Sequence, residues 1–556
     1  MKTKVLFSIV LLGLIMSSNC NIDEYLKNKR IEVDLPSYTI HVVLEFLDVQ
    51  SDAYVVGSSG EQVTGRFSEV GSGILLNYLD QALTTFTAHE GVFSFTVDTD
   101  QNPTAENPIS FLMNSVIAGY EPVSRWIRLT GDGIYTFRVP MYQVSNPPDG
   151  VDIVTDAHAG DTDGTGQLLS PIKMQIGTKA GLEIPDGAIL KDASGNSLTG
   201  QVALSATFFD PASEDAMRVF PGGFDVRTNK SGQLTDGSFA TSGLFNIDLT
   251  VGGVEVKTLE NGGVQIRNEV SGEPGTSVDL WSYDEGTGSW LYEQTGEIAV
   301  VDGKKILEAT LTHLSDWNWD YFANSCEQGI TLKFIPANNN IETTSISIYG
   351  KGYAADGGFF QKTLYYTYDP QQTSEIKLIW VPGNVPTTFT FTAPYNQTTT
   401  FDPPQLTVPD LCSTSIYEIT VGNSVSNPTI ALTFDIGIVC PGNDQVVLKP
   451  SFLLWYKSIN NSGWYYRNMT QGLITLNLSP GLWYDAAATF SNNMYRQTRF
   501  MVEQQGDEIW VHHVEFFMAE SAGSYEFTIT KFTKDQEIYI SPTIELSEEA
   551  CSAIGN

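Results

Sequence analysis

Cations are scarce in this chain of 556 residues: 30 Lys and Arg stand against 65 Asp and Glu, a formal net charge of −35. A field of that sign repels phosphate backbones and argues against nucleic-acid binding. Charged residues of both signs reach only 17%, below the roughly 25% usual for soluble domains. Gly, Ser, Thr and Asn fill the gap, a profile of extracellular all-β proteins. Histidine is equally sparse, and His41, His89, His158, His313, His512 and His513 share no metal-ligand spacing. Past the N-terminus there is no second apolar run of about 18 residues, the length a membrane helix needs. Catalytic signatures are missing too. Gly57-Ser58-Ser59-Gly60 has the wrong spacing for a nucleophile elbow. No second histidine follows His89-Glu90 at zincin spacing. Acids so abundant identify no glycosidase pair. The chain reads as a non-enzyme without cofactor or metal.

What is present begins with an address. Lys2 and Lys4 precede the apolar run Val5 to Met16, and Ser17, Ser18 and Asn19 lead to Cys20. The run is short for a membrane span and right for a secretory signal. This start resembles a bacterial lipoprotein signal. The resemblance implies a signal peptide over residues 1–19, acylation of Cys20, and a lipid bilayer as partner, each buried CH₂ contributing about 0.8 kcal/mol. Asn21-Ile22-Asp23-Glu24 looks like the surface-export tag of Bacteroidetes-type lipoproteins, which implies display on the outer membrane. Residues 20–37 are expected to be an acidic tether.

The stretch Gly181 to Pro211 organises the rest of the chain. Leu182 and Ile184 form a short apolar edge closed by Pro185-Asp186-Gly187. After a Gly/Asn-rich turn, Val202, Leu204, Ala206 and Phe208 fall on one face, the period of two that marks a half-buried strand. Alternation of this kind runs through the chain and predicts an all-β protein of tandem β-sandwich domains in a string. A first unit spans 38–145, with Ile40, Val42 and Leu44 alternating against His41, Val43 and Glu45; Leu75 to Phe86 reads equally as short helix or strand. Residues 146–168, rich in Pro, Gly and Asp, read as linker. Asp161 and Asp163 have the first spacing of a calcium loop, but no Glu follows. The second unit spans 169–320 and includes a hairpin expected between Val254-Val256 and Val264-Ile266 across Asn261-Gly262-Gly263. A small sandwich is expected over 327–410, and an aromatic-rich one over 413–546.

Two resemblances attach to these units. Residues 38–145 loosely resemble Ig-like modules of the carboxypeptidase-regulatory-like kind. In the second unit the ordered set IPDGAI, TGQVALSATFFDP, FPGGF, LWSYDEGTGSW and THLSDWNWD looks like an extracellular β-domain of cartilage intermediate layer proteins. That likeness implies a ZU5-like sandwich in a matrix or adhesion protein and supplies no catalytic residues. His313 beside Trp317 and Trp319 reads as a packed histidine.

Four cysteines follow Cys20: Cys326, Cys412, Cys440 and Cys551. An exported chain favours two disulfides, for which three connectivities exist. The expected one clamps the third unit with Cys326–Cys412 and places Cys440 with Cys551. In the last unit Trp464, Tyr465 and Tyr466 are adjacent, and three neighbouring aromatics cannot all face one core; they are the candidate platform for stacking on sugar rings, although sandwich interiors use the same residues. The function expected is that of a membrane-anchored surface lipoprotein for adhesion, binding or envelope assembly, with an unknown protein or glycan ligand. The alternative is a glycan-binding component of an outer-membrane uptake system.

Overall fold

The computed structural model describes residues 31–516, apart from 58–59, 285, 325, 327, 339–343, 355–356, 369–373, 380, 395–397, 424–428, 441 and 492–493. Beyond these it gives the backbone of three strands, Phe527–Thr533, Ile538–Ile540 and Thr543–Glu545. The architecture is all-β, a tandem set of sandwiches. Among the described residues the one helix is the five-residue Glu214–Arg218, capped by Ser213, whose Oγ accepts from the Ala216 amide.

In the first unit Ile40–Asp48 runs antiparallel to Val92–Val97 and parallel to Gly133–Met141. The facing sheet contains Thr85–Ala88, Val63–Ser68, Ile109–Val116 and Val123–Leu129. Val42, Leu44, Phe46, Phe93, Phe95, Phe111 and Met113 fill the space between. Leu75–Leu76 and Thr85–Ala88 are short strands, which settles that ambiguous stretch as β.

The second unit places Ala180–Ile184 and Gln201–Phe209 in opposite sheets. Val202, Leu204, Ala206 and Phe208 all point into the interior, as their alternation predicts. Two expectations fail here. The linker is largely structured: Val151–Asp161 pairs along Gln201–Phe209. Its acids had hidden it, because an edge strand with an outward face tolerates charge, and a register shift between Asp156 and Gly160 breaks the alternation. The hairpin across Asn261 does not form either. Val254–Glu255 folds back on Thr250–Val251, while Val264–Glu269 pairs with Ala180–Ile184 and Lys304–Leu311. Gly252-Gly253 offered the tighter turn.

The third unit extends past its expected end, because Ile416–Asn423 lies parallel to Thr331–Pro336. Cys326 and Cys412 are disulfide-bonded, Cα atoms 5.4 Å apart. The fourth unit starts at Ile430–Asp435 and carries the sheet Tyr465–Met469, Phe452–Ser458, Trp483–Ser491, Met494–Gln505, Glu508–Phe516 and Phe527–Thr533. The end of the expected tether is also a strand: Ile31–Asp34 pairs in parallel with Val446–Lys449 of this last unit.

The units are not independent beads. The first unit touches the other three. Strand Ile40–Asp48 is buried on both faces. Its Ile40, Val42 and Leu44 enter the first core, while Val43, with Tyr38, Tyr78, Leu79 and Val92, joins the apolar cluster of the fourth unit. Toward the second unit, Trp126 Nε1 donates to Gly288 O at 2.7 Å and Ser124 Oγ meets Tyr283 OH at 2.6 Å. Gly288 is required there, with φ of +64° and a Cβ position 2.6 Å from the Leu112 side chain. Thr136 bridges to Tyr365 of the third unit.

Candidate functional site

The first three units leave between them a cavity of about 550 Å³, within the range of small-ligand sites, about 300–1,000 Å³. One side is formed by the successive strands Val123–Leu129 and Gly133–Met141, which lie in opposite sheets of the first unit, and by the turn between them. The other walls are the turn Met217–Asp225 of the second unit and Gln361–Tyr366 with Glu375–Ile379 of the third. The FPGGF motif is part of that turn. Gly222 there has φ of +75° and lies close to Trp290.

Charge at this cavity departs from the chain as a whole. Arg125, Arg128, Arg138, Arg218, Lys362 and Lys377 line it, against Asp132, Asp225 and Glu375. Four of the cations have carboxylate partners: Arg128 with Asp236 at 2.9 Å, Arg138 with Glu45 at 2.7 Å, Arg218 with Asp52 at 2.6 Å and Lys362 with Asp225 at 2.9 Å. Arg125 is different. It shares a strand face with Ile127 and Leu129, and its register partner is Met113; all three are in the first unit's core. Arg125 therefore occupies an inward position in VSRWIRL. Its Nη2 donates to Arg218 O at 3.3 Å, and its Nε has no hydrogen-bond partner. No carboxylate of the described residues lies within ion-pair distance. Burial lowers its pKa to about 10, opposed by Asp225, so it is charged at neutral pH. Tyr135 and Phe137 lie near-parallel, ring centres 6.3 Å apart, on the strand Gly133–Met141. The Tyr135 hydroxyl is fixed, donating to Gly131 O at 3.0 Å and accepting from the Thr130 amide. Among the described lining residues there is no Ser, Cys or His.

The residues singled out from sequence lie elsewhere. Trp464, Tyr465 and Tyr466 are 1%, 9% and 2% exposed, which corrects the expectation of a sugar-stacking platform. They belong to the fourth unit's core, and their cover is the first unit: Tyr466 OH donates to Glu45 Oε1 and the Trp464 amide to Tyr54 OH. Three adjacent aromatics can all be buried because two units close on opposite faces of their strand. His313 pairs with Glu293 at 3.2 Å and packs on Trp317 at 4.6 Å. No metal-competent cluster occurs among the described residues. Cys440 is disulfide-bonded; its expected partner Cys551, like Cys20, lies outside the described residues. Sequence reasoning missed the cavity, although an arginine at the inward parity of VSRWIRL was a readable signal.

No family model matches the chain, and no curated protein matches it. The likeness of residues 169–320 to cartilage intermediate layer proteins therefore rests on the quoted residues alone. Among solved structures, the chain is similar at 9% identity to the pilus adhesin SpaC from Lactobacillus rhamnosus GG, over 87% of this chain and 55% of that one, with a TM-score of 0.14. It is similar at 9% identity to the pilus-presented adhesin Cpa, over 70% of this chain and 99% of that one, with a TM-score of 0.13. A Salmonella alpha-2-macroglobulin aligns over 89% of this chain and 33% of that one at 10% identity and a TM-score of 0.10. At such scores the alignments carry no functional argument. What the structure defines is a class, the tandem β-sandwich proteins.

Proposed function

We propose that this chain is a surface lipoprotein, held on the outer membrane through acylated Cys20, that binds a ligand without catalysing its conversion. One observation carries the binding part: a cavity between three units, with a half-buried arginine on its wall that has no carboxylate at ion-pair distance. The anchoring part rests on the lipoprotein-like start. Protease treatment of intact cells should release fragments of the chain, and mass spectrometry should find acyl groups on Cys20. A chain that survives such treatment, or a Cys20 without acyl groups, would defeat the anchored-display reading. The second reading, a glycan-binding component of an uptake system, is no longer supported by Trp464, Tyr465 and Tyr466. Its remaining support is the cavity, where half-buried rings stand beside a cation.

A further inference from the structure

We infer that the cavity takes a carboxylate-bearing saccharide, with Arg125 pairing the acid and Tyr135 and Phe137 covering the apolar face of a sugar ring. The inference rests on the reading of this cavity as a binding site. Four observations lead to it. Arg125 stands half-buried on a core-facing strand position that would suit an apolar residue, and no carboxylate lies at ion-pair distance. Such a position is reasonable where something outside the fold completes the pairing. The neighbouring cations Arg128, Arg138, Arg218 and Lys362 are held by their own acids, so they shape the wall without competing for a ligand. The planar guanidinium matches a carboxylate; Nε is enclosed and Nη2 is given to Arg218 O, which leaves Nη1 for a ligand. Lys377, also on the wall and exposed, adds a second positive charge.

The rest of the wall argues for a sugar. Tyr135 and Phe137 are half-buried and present two near-parallel rings along one strand. Pyranose rings stack on such faces through their C–H bonds. Thr130, Thr136 and Thr363 line the same cavity and supply neutral hydrogen-bonding groups suited to sugar hydroxyls.

The test uses the full chain, purified in detergent, and calorimetric titration with tri-galacturonate, its fully methyl-esterified counterpart and a sulfated trisaccharide. The acid trimer should bind, and the methyl ester should bind at least tenfold more weakly. Arg125→Gln should weaken the acid trimer tenfold or more and leave the ester unchanged. Lys377→Gln, an exposed change that leaves the core intact, should weaken the acid trimer two- to threefold and serves if Arg125→Gln does not fold. Added salt should weaken acid binding. Equal binding of acid and ester, no binding of the acid, or indifference to both substitutions would overturn the inference. Preference for the sulfated sugar, or for an acidic peptide included as a control, would overturn the ligand class. These outcomes are separate from protease release on cells, so failure here leaves surface display standing, and failure there leaves the binding result standing.

Discussion

Two charges on core-lining strands of the first unit have opposite circumstances. Glu45 is 1% exposed and fully engaged: Oε1 accepts from Tyr54 OH at 3.0 Å and from Tyr466 OH, and Oε2 accepts from Arg138 Nε at 2.7 Å. Arg138 in turn lies 3.9 Å over the Tyr365 ring. One carboxylate thus gathers side chains from the first, third and fourth units. Burial opposes the charge on Arg138, but Glu45 foremost among its neighbours outweighs this and raises its pKa. Burial, with Glu45 beside them, pushes the Tyr54 and Tyr466 hydroxyls well up, so both remain donors. Arg125 is only half-buried, with one carbonyl partner and an enclosed Nε that has none. The buried charge with all its partners in place joins units together, while the one beside the cavity is, on our proposal, the one that pairs a ligand.

The contrast is breakable by mutation. Glu45→Ala should have the largest effect, about 3–5 kcal/mol of lost stability in chemical denaturation, because it strands a buried arginine. A loss below about 1 kcal/mol would mean that Glu45 does not join the units. Trp464→Ala should also cost about 3–5 kcal/mol by opening a cavity where the first and fourth units meet. The protein should then lose the cooperativity of its unfolding rather than any glycan binding, as parallel denaturation and titration would show.

His41 sharpens the same boundary through pH. It is buried beside Tyr78, whose hydroxyl lies 2.9 Å from Nδ1. Burial lowers its pKa from 6.5 to about 4, against the opposing bonds of Tyr38 and Asn468. The folded state keeps His41 neutral, while the unfolded chain takes up the proton as pH falls through 6.5. Its stabilising contribution is therefore complete above pH 6.5 and is lost between there and about pH 4, by up to about 3 kcal/mol. His41→Gln should flatten that part of the stability profile relative to the native chain; an unchanged slope would place the acid sensitivity elsewhere. The smallest effect is expected at the other charge. Arg125→Met should change stability by less than about 1 kcal/mol in either direction, since an apolar side chain suits an inward strand position. A loss as large as that of Glu45→Ala would show that Arg125 is as structurally engaged as Glu45.

Much of the fold was legible. Val202, Leu204, Ala206 and Phe208 declared their strand by alternation, and Val278–Tyr283 with Trp290–Tyr292 declared a hairpin by the Asp284–Gly288 turn between them. What could not be read was which outward faces would be covered. His41, Glu45, Ser94 and Thr96 look like a solvent face, yet all are buried, and Trp455 Nε1 donates to Ser94 Oγ at 3.2 Å across 361 residues of sequence. Trp464 to Tyr466 look like an exposed platform for the complementary reason. Nothing local distinguishes a polar face meeting water from one meeting another unit.

The strands, the all-β class and the acidity were already set by the order of residues, because side-chain period and composition are properties of near neighbours. The closing of the other three units around the first, the strand Val151–Asp161 and the place of Arg125 on a cavity wall came only with the folded arrangement. Those outcomes depend on contacts between residues hundreds of positions apart, where the burial of one unit's surface is set by the shape of another.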